Sequence, residues 1–395
     1  MSTENVITIL NEVASAALSA GPAGHPNVQR GWGARLSATL GGMHPFNELK
    51  GCKILTFNMV SEIDVSHLAA GLIERVLDGV SPTIAFRDLC DFFSKTEANI
   101  AIVFGIAGIR VEKPTSVAVD VDIMLPECMP ATRIREDIFD ISKQGTRMYR
   151  GSITTLRYPT TAVIIKEKMT FLYRQDIDWH TRKSHSDSVE SRKERVLAAV
   201  TLSGSACAPF IMNMSSWIDH PAYPYSGFLG GNAYGSYTGI APGTITNIDG
   251  CLTANLYDQL TRVKTAESAT IFRATERLRR ARNHSSQVDR AIDLGIAIEM
   301  TMLHGSDNQQ ELSYRIALNA AWLLGKSNAE REQIFKTFKD AYKARSQAVH
   351  NGKLSDENKN TFDTLKAADA YCAEALCKIL SKGEFPKWQS LILGK

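Results

Sequence analysis

The sequence predicts an α+β chain in which a mixed, strand-rich front half precedes an all-α helical bundle. Three observations carry that prediction. Runs rich in β-branched residues fall at 100–111, 116–125, 152–156 and 161–165, where they suit strands. A stretch dense in Gly, Tyr, Pro and Ser at 221–243 then interrupts the chain, and after Cys251 the texture changes to long helical periods with few glycines. At 395 residues the chain exceeds one ordinary core, so two domains are expected, 1–250 and 251–395.

Taken in order, residues 5–20 place apolar side chains at helical spacing, and Gly21, Pro22, Gly24 and Pro26 end that pattern. Residues 67–77 and 83–93 also read as helices, whereas 194–203 suits either a helix or a buried strand. Behind the boundary five helices are expected, at 256–283, 287–304, 308–325, 328–350 and 355–380. Their breaks fall at Asn283-His284, Gly305-Ser306 and Asn351-Gly352, and Ser355, Glu357 and Asn358 offer an N-cap for the last.

Composition narrows the class. Hydrophobic residues make up 44% and charged residues 22%, enough apolar material for a proper core. Seven scattered cysteines without a CxxC pair point to neither a disulfide framework nor a cysteine zinc site, so a reducing cytoplasm is expected. The first twenty residues lack a basic n-region, and no apolar run reaches the roughly 18 residues of a membrane span, so no membrane association is expected. The net charge of +3 is uneven: Lys and Arg exceed Asp and Glu only behind residue 254, which leans the bundle toward a polyanion.

Several polar residues stand where the core should be. In the second bundle helix Ile292, Ile296 and Leu303 form a stripe that includes Glu299, and in the third Leu312, Ile316, Ala320 and Leu323 share theirs with Arg315 and Asn319. Burying either charge alone costs several kcal/mol, so Glu299 and Arg315 are expected to pair, as a structural ion pair or in a shared cleft. In the fourth helix Ile334, Phe338 and Ala341 lead to Arg345, with Phe335, Tyr342 and Val349 completing the packed face. His350 follows about 140° around the helix. The Asn351-Gly352 stop puts it at a helix C-terminus, where it serves as a cap or as a proton-transfer group.

The run Arg345-Ser-Gln-Ala-Val-His350-Asn-Gly has the R-x4-6-H form of the HEPN superfamily of helical-bundle ribonucleases. The texts from Arg279 to Glu299, around Tyr314-Arg315 and from Tyr342 to Ser346 resemble the Apea-like branch in order and spacing, so the resemblance covers about residues 255–382. It implies a HEPN-like bundle and an endoribonuclease that needs neither metal nor cofactor, with Arg345 and His350 as catalytic residues and RNA as substrate. It also implies a homodimer through the bundle that brings two motifs into one cleft. Many members place Asn, Asp or His directly after the motif Arg; this chain has Ser346, which can hydrogen-bond phosphate but is neither acid nor base. Ser346, Glu299, Arg315 and Asn351 are carried as supporting residues; the basic cluster Arg273, Arg277, Arg279, Arg280 and Arg282 suits a solvated face or an RNA-backbone contact, and Arg279, Arg280 and Arg282 are carried as RNA contacts. The front domain then senses a trigger or restrains the nuclease, in an antiviral-defence or toxin-type effector. Some HEPN domains are non-catalytic, so the alternative is a dimerising, RNA-binding or sensor protein.

Other signals are weaker. Asp176, Asp178, His180, His185 and Asp187 are ligand types, but their polar, irregular surroundings suit a solvated loop better than a metal site. The glycines between 227 and 239 lack the Lys-Ser/Thr of a phosphate cradle, and Tyr223, Tyr225, Phe228, Tyr234 and Tyr237 suit packing under a loop better than base stacking. Cys372 and Cys377 suit small core positions.

Overall fold

A computed structural model of the protein describes residues 2–20, 25–49, 53–56, 59–62, 64–94, 97–129, 159–170, 179–204, 207–218, 245–305, 310–354 and 359–394. The front begins with a helical layer. Helix α1 (Thr3–Ala20) turns Val6, Ile9, Leu10 and Val13 inward at helical spacing, and all four are buried. They share a core with Leu36 and Leu40 of α2 (His25–Gly41), Leu72 and Ile73 of α3 (Val65–Leu77), and Phe86 and Phe92 of α4 (Pro82–Ser94). The Gly/Pro cluster hides α2 in the sequence, yet Pro26 stands in its first turn, where a missing N–H costs nothing. A short antiparallel hairpin, β1 (Lys53–Thr56) with β2 (Met59–Glu62), precedes α3. The Asp64 carboxylate starts α3 by accepting the Ser66 N–H at 2.8 Å.

The sheet is built around β3 (Glu97–Ala107). Gly108, at φ +85°, separates β3 from β4 (Ile109–Val111), so the run expected at 100–111 is two strands. The run at 116–125 is likewise a hairpin, β5 (Thr115–Ala118) and β6 (Val121–Met124). With β7 (Thr161–Thr170) and β8 (Phe210–Ile218) these form a five-stranded antiparallel sheet in the order β5-β6-β7-β3-β8, while β4 pairs in parallel with β9 (Thr246–Ile248). Alternation along β3 sends Ile102, Phe104 and Ile106 to one face and Ala101 and Val103 to the other. Residues 152–156 and the Gly/Tyr-rich stretch at 221–243 lie outside the described residues.

Helix α5 (Trp179–Leu202) resolves the choice at 194–203 in favour of helix, with Val189, Val196, Ala199 and Val200 buried. It also makes His180, His185 and Asp187 part of a helix, not of a loop; Asp176 and Asp178 lie outside the described residues.

The bundle follows as α6 (Gly250–Arg262), α7 (Thr265–Asn283), α8 (Gln287–Met302), α9 (Leu312–Leu324), α10 (Asn328–Asn351), α11 (Lys359–Lys382) and the short α12 (Trp388–Ile392). The helix expected over 256–283 is therefore two. Val263 and Lys264, with ψ of 136° and 140°, leave the helical region between them. That turn needs neither a positive φ nor a missing N–H, so ordinary residues make it and no Gly or Pro announces it. Elsewhere the ends carry their signals: Asp249 caps α6, Ser286 caps α8, and Ser327 with Glu330 forms a capping box on α10, which ends at Gly352 with φ 63°. The expected cap at Ser355, Glu357 and Asn358 lies outside the described residues.

The apolar core is continuous across residue 250. Ile102, Phe104, Val163 and Val196 belong to the same cluster as Leu278, Leu294, Ile316, Phe338 and Leu376, while α1 to α4 enclose the separate one. The change of texture near 250 is a change of secondary structure and not a gap in the packing.

Candidate functional site

The centre expected from the sequence lies where α8 crosses α10. The two helices approach closely because residue 295 has no side chain: a Cβ there would stand 2.2 Å from Cγ and 2.8 Å from Cβ of Arg345. The stem of Arg345 occupies that space. Its guanidinium reaches Glu299 of α8, with Nη2 at 3.2 Å from Oε1 and 3.4 Å from Oε2, and lies 5.6 Å from the centre of the Tyr342 ring. The Tyr342 hydroxyl also donates to Glu299; burial, then that hydrogen bond and the carboxylate charge, push its pKa up to about 12. The Tyr342 phenol therefore holds its proton more tightly than an ordinary tyrosine.

The Arg345 side chain is 24% exposed, and its Nε is buried without a hydrogen-bond partner. One carboxylate and one ring hold the arginine while part of its donor set is unused. This differs from the expected Glu299–Arg315 pair: the ion-pair partner of Glu299 is Arg345, from the fourth bundle helix and not the third. Arg315 is half-buried on α9, where Asn319 donates to the Met302 carbonyl at 2.7 Å.

His350 is exposed at the last turn of α10, with Asn351 exposed beside it and Ser346 half-buried one residue beyond Arg345. Helical geometry turns His350 about 140° from Arg345, and the burial difference follows that rotation. Along the flank between them Phe335, Tyr342 and Ser346 are half-buried, and Val349 is 48% exposed where the sequence predicts it packed. Tyr314 of α9 adds an exposed ring edge-on to Phe335, with centroids 5.6 Å apart.

The three arginines expected to contact RNA divide into three environments. Arg280 is exposed and pairs with Glu276 one turn away, Nη2 to Oε1 at 2.5 Å. Arg279 is half-buried and turned toward the sheet, with Nη1 at 3.5 Å from the Pro209 carbonyl oxygen. Arg282 corrects the expectation of a surface contact, for its side chain is 4% exposed. Nε and Nη2 hold Asp369 of α11 at 2.6 to 3.0 Å, and Nη1 donates to the carbonyls of Thr201, Gly204 and Cys207 at 2.6 to 3.0 Å. Its role is to clamp the end of α5 to the bundle.

Sequence reasoning did not single out Asp293. It is buried, accepts Arg277 Nη1 at 2.6 Å and pairs with His284 Nε2 at 2.7 Å, joining α7 to α8. Gly295, one turn before Glu299, was the available signal for the close crossing, since an isolated Gly inside a helix marks a packing constraint.

Among the described residues no group of three or more His, Cys, Asp or Glu is placed to hold a metal ion, and no helix is long and apolar enough to cross a membrane. Cys372 is buried beside Thr301, and Cys377 is half-buried with its Sγ 3.8 Å from the Leu202 carbonyl; burial pushes the first thiol up to about 12 and the second to about 11. Comparisons with protein-family models, with curated proteins and with solved structures return no match.

Proposed function

We propose that the protein is a metal-independent HEPN-type endoribonuclease that cleaves single-stranded RNA at a composite homodimer site, with its front half regulating the bundle in an antiviral-defence or toxin-type role in the cytoplasm. The observation that carries this reading is the end of α10, where a partly exposed, incompletely hydrogen-bonded Arg345 is followed five residues later by an exposed His350. The ribose 2′-hydroxyl attacks the adjacent phosphorus and loses its proton, the bond from phosphorus to O5′ breaks, and O5′ gains a proton. The products are a 2′,3′-cyclic phosphate and a 5′-hydroxyl. His350 moves the proton, and the planar fork of Arg345 stabilises charge on the phosphate oxygens. DNA, without the 2′-hydroxyl, is inert in this scheme.

Because His350 and Arg345 point to different sides of one helix, a second copy is needed to complete a groove. The half-exposed flank of Phe335, Tyr342 and Val349, extended by Tyr314, gives such a copy an apolar surface to cover. The test is incubation of total RNA with the full chain in EDTA. Cleavage by wild type that is absent from His350→Ala supports the reading, and equal cleavage by both refutes the catalytic role of His350.

One observation favours the second reading, a non-catalytic dimerisation, RNA-binding or sensor protein. Glu299 and Tyr342 hold Arg345 as they would a structural ion pair. Under that reading the chain shifts RNA mobility in the same incubation and cuts nothing.

A further inference from the structure

Between the sheet and the bundle lies a cleft of about 640 Å³, within the range of small-molecule sites. It is separate from the α8–α10 crossing. The larger apolar part of its lining is Phe104 of β3, Ile211 of β8, Leu197 and Ala198 of α5, and Phe272 of α7, and charged and hydroxyl side chains make up most of the rest. Phe104 and Ala198 are core residues, whereas Leu197, Ile211 and Phe272 are half-exposed and keep apolar surface facing the cavity.

The charges around this cleft are not equally engaged. Glu190 is ion-paired with Lys193, whose ammonium also lies 5.8 Å from the centre of the Phe104 ring, and Glu276 is held by Arg280. Glu194 and Arg273 stand exposed at the rim. Arg279 is the exception among the part-buried groups. Arg279 lines the cleft and, among the described residues, its guanidinium has one long hydrogen bond at 3.5 Å to the Pro209 carbonyl. An arginine cannot escape burial by losing its proton, although burial does lower its pKa here; the Glu276 carboxylate attracts it but is hydrogen-bonded to Arg280, so among the described residues the Arg279 fork has no carboxylate of its own.

We infer that this cleft binds a small organic anion with a planar apolar body, its anionic head on Arg279 and its body between Phe104, Leu197, Ile211 and Phe272. A carboxylate, sulfonate or phosphate supplies the acceptors that the planar fork lacks, and such a bond is strengthened where solvent is partly excluded. The walls come from both sides of residue 250, so the ligand would brace the sheet against α7. This inference is independent of the ribonuclease reading.

The test uses anilinonaphthalene sulfonate, which has the anion and the aromatic body, beside neutral N-phenylnaphthylamine, which has only the body. In fluorescence titrations of the full chain without RNA, the sulfonate should saturate one site, bind about tenfold or more tighter than the neutral probe, and raise the melting temperature. Arg279→Gln should bring sulfonate affinity down to that of the neutral probe and leave the neutral probe's affinity in place. Ala269→Trp, at an exposed position on the α7 edge of the cleft, should block both probes, and decides the matter if Arg279→Gln does not fold. Equal affinity of the two probes for wild type, or unchanged sulfonate binding in either variant when it melts like wild type, overturns the assignment.

Discussion

Arg282 and Arg345 belong to the same bundle and each faces a carboxylate from a neighbouring helix, but they are held differently. Arg282 is closed off: five of its hydrogen bonds run between 2.6 and 3.0 Å to Asp369 and to the carbonyls of Thr201 and Gly204, with a further one to Cys207. Arg345 faces Glu299 at 3.2 Å, keeps a bare Nε and remains a quarter exposed. A buried charge with every guanidinium nitrogen bonded is a strut, and one with a nitrogen left over can still take a ligand. The contrast orders the expected effects of substitution.

Arg282→Ala should be the most damaging change. It leaves the half-buried Asp369 with only the more distant attraction of Arg290 and three carbonyls without their donor, so we expect a loss of about 3 kcal/mol, the lower end of the scale for breaking a buried pair. Chemical denaturation measures it, and a loss below that of Glu299→Ala would reverse the ranking of the two centres. For Glu299→Ala we expect about 1 to 3 kcal/mol, because the stranded Arg345 can still reach water. A coincident denaturation curve for wild type and Glu299→Ala would show that Glu299 holds nothing.

The same contrast shows what the sequence could disclose. Glu299 and Arg345 were legible as inward charges because each interrupts an apolar stripe on its own helix, a local pattern. Their pairing was not, since Arg315 was equally inward by periodicity and only the α8–α10 crossing at Gly295 selects Arg345. Arg282 was unreadable for a stronger reason. Its partners lie more than seventy residues away in sequence on either side, and an arginine in a basic run looks like a solvated face until the chain closes around it. Element ends behaved alike: the Ser327–Glu330 box and Gly352 announced α10, whereas the extended Val263–Lys264 turn carried no signal.

Gly295→Ala sharpens the comparison from the backbone side. Alanine raises helix propensity by about 1 kcal/mol, but its Cβ would collide with the stem of Arg345 and not with its mobile tip, and overpacking typically costs about 1 to 3 kcal/mol. We expect a net loss of about 1 kcal/mol and a displaced guanidinium. Net stabilisation would mean that the helices part without cost.

Tyr342 gives a pH-dependent measure of the Arg345 centre. With its phenol pushed up to about 12, the folded chain keeps a proton that the unfolded chain releases near 10. The stability from this group is whole below pH 10 and is lost as pH rises toward 12. Wild type should therefore lose stability more steeply than Tyr342→Phe between those values, and parallel curves would separate Tyr342 from Glu299.

The smallest effect on stability should come from His350→Ala, because the ring is exposed at a helix end already closed by Gly352. We expect a change within about 0.5 kcal/mol, the usual range for a surface substitution. In RNA cleavage the same change should abolish activity. The dissociation of stability from activity is what distinguishes a functional group from a strut such as Arg282. Assembly makes the distinction sharper. If each groove draws Arg345 and His350 from two copies, a wild-type chain paired with a His350→Ala chain has no complete pair of histidines in its groove, so mixing the chains should lower activity further than dilution does. Light scattering on the active species completes the test, for an active monomer would mean that one copy brings both groups to one phosphate despite their separation around α10.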